Sequence, residues 1–330
     1  MIGGSIGLAL KTHGWRVAGW DPDPGILEEA GSIGAIDRQL SSPDGVDGPA
    51  DITFLCGPLD ATLAALQNLQ SERIVTDVAS VKGPIVAAGK HLSGFVAGHP
   101  MAGSAVSGPR FASAHLFHGA SWAICNDNPN DAAIAEVSRV VATMGANPVI
   151  LTSAEHDAYV ATVSHLPRVL ASALIDLVSR SPGATRLSAG SFRDLTRVAG
   201  SGSKWWSEVL VTNRDPVRSA IGGLVDILKE WDADLAATDG NAIAERLSAA
   251  EAGRSRLGAP VAEVRVVLFD RPGEVGRVGI ALSDSGVDLR DIQLRHAEYG
   301  GGGILTLSIT AGENDALRSA LARQGFELES

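Results

Sequence analysis

An α/β chain in three parts is what this 330-residue sequence predicts, and three changes of periodicity carry the prediction. Residues 1–151 alternate short apolar runs with helical patterns, as a parallel sheet with crossover helices does. Residues 152–256 keep a long helical period without any strand-like run. Residues 261–330 read β, α, β, β, α, β, the order of a ferredoxin-like split βαβ domain.

In the first part WRVAGWD (Trp15 to Asp21), ADITFLC (Ala50 to Cys56), RIVTDV (Arg73 to Val78) and GFVAGH (Gly94 to His99) read as parallel strands. SWAICN (Ser121 to Asn126) and NPVIL (Asn147 to Leu151) add the last two. A dinucleotide-binding fold of the Rossmann type needs a strand, then G-x-G-x-x-G, then a helix whose N-terminus meets a pyrophosphate. The chain opens MIGGSIGLALKTHGWRVAGWD, with Gly3 where the third glycine belongs and a helix over Ser5 to His13. The first strand and two glycines of that pattern are missing, and the expectation is that Met1 is internal to a longer reading frame. Gly3, Gly4 and Ser5 are the candidate pyrophosphate contacts. Asp21, closing the second strand of the pattern, is placed to accept both adenosine-ribose hydroxyls and to repel a 2′-phosphate, which favours NAD over NADP. Pro58, in CGPLDAT, ends a strand at the carboxyl edge where a cofactor crevice lies.

The second part begins with HDAYVATVSHLPRVLASALIDLVSR (His156 to Arg180). His156 and His165 are nine residues apart, about two and a half turns, so they do not share a metal in the i, i+4 manner. Helix packing or the wall of a site suits them better, and no metal is expected. Trp205 and Trp206 read as core. After the linker EAGRSRLGAP (Glu251 to Pro260), the motif DRPGEVGRV (Asp270 to Val278) sets Pro272-Gly273 directly before a helix, where free backbone N–H groups suit a carboxylate.

Composition narrows the function classes. With 45% hydrophobic and 20% charged residues the chain is globular, and no apolar run reaches the roughly 20 residues of a membrane span. A net charge of −11 argues against nucleic acid as the main partner. Cys56 and Cys125 are too few for a disulfide framework, lack metal-ligand spacing, and read as buried thiols. No signal peptide or lipidation motif is visible, so a cytoplasmic location is expected.

Four motifs carry the chemistry: DVASVKG (Asp77 to Gly83), GHPMAGS (Gly98 to Ser104), SHLP (Ser164 to Pro167) and DLTRVA (Asp194 to Ala199). A histidine between Gly98 and Pro100, ahead of small residues, is shaped to present its imidazole to a ligand. Together these motifs resemble the prephenate/arogenate dehydrogenase family of tyrosine biosynthesis, and DRPGEVGRV with GVDL (Gly286 to Leu289) resembles an ACT domain, a module that commonly senses an amino acid.

The resemblance implies NAD-dependent oxidative decarboxylation of prephenate to 4-hydroxyphenylpyruvate, with arogenate as the alternative substrate. It implies that His99 takes the substrate's hydroxyl proton, that Ser80 orients the histidine, and that Arg197 binds a substrate carboxylate. His165 and Arg168 are further substrate-binding candidates. Arg168 stands where the family often has the last histidine of SHLPH, and Ala105 and Val106 replace a polar pair after HPMAGS. A homodimer is implied, as is a tyrosine effector bound around Asp270, Pro272 and Gly273. A different class of reading, a catalytically inactive amino-acid sensor, is opposed by the joint presence of His99, Ser80 and Arg197. A β-hydroxyacid dehydrogenase would place a lysine in a glycine-rich helical motif, and Lys204 in SGSKWW is not that motif.

Overall fold

The computed structural model describes residues 1–42, 50–103, 107–128, 130–181, 183–188, 190–200, 202–254, 261–269, 271–296 and 302–328. It divides into two compact units, residues 1–224 and 225–330.

The first unit opens with helix α1 (Ile2–Thr12), strand β1 (Ala18–Gly19), helix α2 (Pro24–Ser32) and strand β2 (Arg38–Gln39). Asp23 caps α2 by accepting the Gly25 N–H at 2.8 Å, and Pro24 fits the first helical position, where no N–H is needed. β1 pairs in parallel with β2. Next come β3 (Ile52–Leu55), α3 (Leu59–Asn68), β4 (Ile74–Asp77), α4 (Gly83–Gly89) and β5 (Phe95–Val96), with a parallel sheet in the order β3-β4-β5. Among the described residues the other edges of β1 and β3 have no strand partner. The Rossmann order places one further strand between those two edges.

The run Gly94 to His99, expected as one parallel strand, is two. β5 stays in the parallel sheet, while β6 (Gly98–Pro100) crosses to pair antiparallel with β7 (Ser121–Cys125). The switch is enforced at Ala97 and Gly98: the Ala97 carbonyl accepts the Cys125 N–H at 2.8 Å, and the Gly98 N–H donates to Asp77 at 3.0 Å. After helix α5 (Asp131–Thr143), capped by Asn130, β8 (Asn147–Leu151) joins β7 in parallel. Ile6, Leu10, Val96, Phe117, Trp122, Val137 and Val141 form the core beneath these strands.

A 27-residue helical rod follows, made of α6 (Ser153–Val160), a π-helical turn (Ala161–His165) and α7 (Leu166–Ser179). The widened turn has a sequence cause: Pro167 has no N–H for the carbonyl of Val163, and π turns collect at such breaks and at functional sites. Contrary to the expectation that no apolar run is this long, the rod has the length and hydropathy of a bilayer span. Its inward face, however, carries His156, Asp157, His165 and Arg168. Helices α8 (Gly190–Thr196), α9 (Ser203–Thr212) and α10 (Arg214–Ala236) complete this region, and the boundary between the units falls inside α10. Trp205 and Trp206 are not core as expected. Trp205 is 47% exposed, and the two rings meet edge to face with centroids 4.9 Å apart.

In the second unit α11 (Gly240–Arg254) is tied back to α10 by Arg246, which pairs with Asp234 and, at 2.9 Å, with Glu230. Strand β9 (Val261–Leu268), helix α12 (Glu274–Ser285), strands β10 (Leu289–His296) and β11 (Gly303–Thr310) and helix α13 (Asn314–Arg323) follow. The antiparallel sheet has the order β10-β11-β9, and Leu328 bridges to Val266 on the other edge of β9. The split βαβ pattern is therefore present, with its last strand reduced to one bridge. Val264, Val266 and Leu268 on β9 and Leu305, Leu307 and Ile309 on β11 alternate inward at period two and meet Leu317 and Leu321 of α13.

Candidate active site

His99 sits on β6 because both peptide groups of the residue before it are clasped from the side. Lys82 Nζ donates to the Gly98 carbonyl at 2.6 Å and to Asp77 Oδ2 at 2.5 Å, while Asp77 Oδ1 accepts the Gly98 N–H. Lys82 and Asp77 are fully buried. Gly98 itself is required: a Cβ there would lie 2.9 Å from the Asp77 carbonyl and 3.0 Å from Thr76 Oγ1 and Trp122 Nε1.

The rod brings a second set of groups to the same place. Thr152 and Glu155 form a capping box at its start, and Asp127, just past β7, accepts both the N–H and the hydroxyl of Ser153 at 2.8 and 2.7 Å. With that end fixed, Ser153, His156, Asp157 and Val160 point inward at i, i+3, i+4 and i+7. His156 Nε2 lies 2.9 Å from His99 Nδ1, and His156 Nδ1 lies 2.8 Å from Asp157 Oδ1. Asp157 also accepts the N–H groups of Lys82 and Gly83, each at 2.8 Å, which ties the rod to the start of α4.

Further along, buried Asn213 donates from Nδ2 to the Asp157 carbonyl at 2.8 Å, and the same nitrogen lies 3.1 Å from His165 Nδ1. A carbonyl only accepts, so Nδ2 is the donating group. His165 Nδ1 therefore accepts, and its proton sits on Nε2. Arg168 is buried one turn beyond His165, with its guanidinium 5.6 Å from the Trp206 ring centroid.

Burial first, and then the nearby His156, Lys82 and His165, hold the His99 imidazole well below its ordinary pKa. His165 is lowered to about 4 by burial, with Asp157 acting in the opposite direction. Burial alone would raise the Asp157 carboxyl. Its hydrogen bonds from His156 and from the Lys82 and Gly83 amides outweigh that and hold it below the usual carboxylate value. His99 and His165 are thus neutral at physiological pH. Burial pushes Cys56 and Cys125 up to about 12, so both remain thiols.

The remaining sequence candidates fall in different places. Ser80 is half-buried beside Ala79 and, among the described residues, makes no side-chain hydrogen bond; the His99 ring is met at Nδ1 by His156 instead. Arg197 begins a 3₁₀ turn (Arg197–Gly200) and is exposed, and its side chain makes no hydrogen bond among the described residues. Gly3 and Gly4 lie in the first turn of α1, which has no side-chain cap, and a Cβ on either would come within 3.1 Å of a neighbouring Cβ. Ser5 is fully buried: its hydroxyl donates to the Met1 carbonyl and accepts the Ser113 N–H at 3.0 Å, so it shapes the helix end rather than facing a phosphate. Asp21 follows β1 and accepts the Asp23 N–H at 3.0 Å through Oδ1, while its Oδ2 accepts no hydrogen bond among the described residues. Pro58 is exposed at the carboxyl end of β3 and starts α3. Gly273, at φ +89°, precedes α12 after Pro272. Asp270 lies outside the described residues. Among the described residues no three His, Cys, Asp or Glu side chains are placed to hold one metal ion.

Residues 6–154 match the nucleotide-binding domain of prephenate dehydrogenase, and residues 152–249 match its dimerization domain. The chain is 32% identical to the prephenate dehydrogenase of Lactococcus lactis subsp. cremoris, over 74% of this chain and 71% of that one. The prephenate dehydrogenase of Bacillus subtilis matches at the same identity over 65% of its length. Among solved structures, the Aquifex aeolicus prephenate dehydrogenase in complex with hydroxyphenyl propionate and NAD+ superposes with a TM-score of 0.72, at 26% identity over 78% of this chain and 95% of that one. Synechocystis arogenate dehydrogenase gives 0.71 at 26% identity, over 78% and 96%. The chain belongs to the prephenate dehydrogenase family.

Proposed function

We propose that this chain oxidatively decarboxylates prephenate to 4-hydroxyphenylpyruvate with NAD as the acceptor. The observation that carries this reading is His99: a neutral imidazole, engaged among the described residues through Nδ1 alone, in a chain that matches the family through both its nucleotide-binding and dimerization domains. When bound, NAD takes the hydride from the hydroxyl-bearing ring carbon. The start of α1, with its glycines and no side-chain cap, and Asp21 Oδ2, unbonded among the described residues, suit its pyrophosphate and adenosine ribose.

His99 Nε2 accepts the hydroxyl proton as the C–H bond breaks. The ring carboxylate leaves as CO2, its bonding electrons complete the aromatic ring, and His99 returns the proton to the phenolate oxygen. The ring and side-chain carboxylates call for cations, and guanidinium groups hold carboxylates through paired hydrogen bonds. The Arg197 side chain is exposed and makes no hydrogen bond among the described residues, and Arg168 follows His165 by one turn, so both are assigned to substrate. His165, with its proton on Nε2, donates from the same wall.

Arg168 favours the keto acid over the amino acid, because a permanent cation repels the ammonium of arogenate. Steady-state assays with prephenate and with arogenate, each with NAD, test this: higher kcat/KM for prephenate is expected, and a preference for arogenate overturns the substrate assignment.

The helical region is assigned to a homodimer interface. It matches a dimerization domain, and Leu187 and Val211 stand 84% and 73% exposed. The C-terminal unit is assigned as an ACT-type sensor of tyrosine, with the free N–H groups beyond Gly273 meeting its carboxylate. Tyrosine inhibition that is not competitive with prephenate supports that assignment, and purely competitive inhibition contradicts it. The location is assigned as cytoplasmic, in line with the biosynthetic role of the family.

A further inference from the structure

We infer that His156, backed by Asp157, is a positioning residue that fixes the His99 tautomer and holds the substrate's hydroxyl proton until the aromatic product takes it back. This rests on the assignment of His99 as the base. The geometry leaves one consistent pattern of protons. A carboxylate only accepts, so His156 Nδ1, 2.8 Å from Asp157 Oδ1, carries a hydrogen. The neutral His156 ring then has its lone pair on Nε2, which lies 2.9 Å from His99 Nδ1. His99 Nδ1 must donate, and the only basic atom left on His99 is Nε2. In the other tautomer two lone pairs would face each other at 2.9 Å inside the protein, each without a donor.

Conversion of prephenate and NAD to 4-hydroxyphenylpyruvate, CO2 and NADH releases no net proton, so a proton taken from the hydroxyl is matched by one given to the product oxygen before the turnover ends, and a store beside His99 serves both steps. When His99 Nε2 takes it, the Nδ1 hydrogen shifts to His156 Nε2. His99 is again neutral, and the positive charge rests on His156 beside the Asp157 carboxylate. The return step runs in reverse, ending with the proton on the phenolate oxygen. The charged groups around the pair fit this storage. Lys82 and His165 face His99, but the Lys82 ammonium is paired with Asp77, and His165 is neutral. Asp157 offers negative charge to His156 directly, and its second oxygen accepts the Gly83 N–H, which holds the carboxylate in place.

The test uses the full chain labelled with ¹⁵N-histidine, the His99 signals being assigned by their loss in His99→Asn. The expected spectrum at neutral pH has His99 Nδ1 protonated and Nε2 bare; a protonated Nε2 overturns the inference without any reference to activity. Two variants separate the two roles. His156→Gln offers an amide oxygen to the Nδ1–H but stores no proton, and is expected to keep the tautomer while lowering kcat roughly tenfold with KM unchanged. His156→Phe removes both functions and is expected to lose the fixed tautomer and roughly a hundredfold in kcat, within the range of acid–base groups. Wild-type kcat in either variant, with His99→Asn inactive, removes the relay and leaves His99 as the base. An active His99→Asn removes the parent assignment instead.

Discussion

Lys82 and Asp77 meet Nζ to Oδ2 at 2.5 Å with no exposure of either side chain, and between them they hold both peptide groups of Gly98. A buried ion pair is often no better for stability than an apolar pair, but removing one partner strands the other charge and costs about 3–5 kcal/mol. Lys82→Met is therefore expected to lower the unfolding free energy by that amount in urea titration. A loss under about 1 kcal/mol would show that Asp77 is compensated in another way.

Stability should depend on acid through the buried histidines. In the unfolded chain His99 and His165 titrate near 6.5, whereas in the fold His165 is lowered to about 4 and His99 is held well below its ordinary value. Below pH 6.5 the unfolded state takes up protons that the folded state refuses, so stability falls as pH drops toward 4 and is fully present above 6.5. Each histidine contributes a slope of up to roughly 1.4 kcal/mol per pH unit. Melting temperature measured from pH 7.5 to 4.5 should fall, and His165→Gln should flatten the fall if the protein stays folded. A flat profile in the wild type would contradict the burial of these rings.

Arg197→Ala is expected to raise KM for prephenate by roughly ten- to a hundredfold with kcat changed far less, because its partner carboxylate is bound in ground and transition states alike. An unchanged KM would remove Arg197 from the substrate site.

Arg168→His removes a permanent charge beside His165. The ratio of kcat/KM for arogenate to that for prephenate should rise roughly tenfold, a modest share of the several kcal/mol that opposed like charges cost. A ratio unchanged within twofold would show that selectivity lies elsewhere.

The order of elements and the position of His99 were legible in the sequence, because period-two and period-3.6 patterns and a glycine-flanked histidine are local signals. His156 was not legible as the partner of His99. Nine-residue spacing from His165 speaks only to these two histidines along the helix, whereas the contact that matters joins residues 57 apart, across β6 and α6. Its trace in the sequence was a histidine–aspartate pair at the inward positions of a helix whose start is fixed by a capping box, where apolar residues would be expected. Asn213 and Lys82 escaped for the same reason, since long-range hydrogen bonding alone reveals their partners. Ser5 and the Gly94 to His99 run were misread because a buried hydroxyl and a change of sheet depend on neighbours more than 20 residues away.

His99 as the base in an oxidative decarboxylation is the central claim, and single-turnover analysis of the full chain with prephenate and NAD tests it most directly. One CO2 and one NADH per 4-hydroxyphenylpyruvate formed are expected in the wild type. In His99→Asn, kcat should be lower by about two to four orders of magnitude with KM little changed, the scale for loss of a general base. A fall of less than tenfold, or NADH formed without CO2, would contradict it.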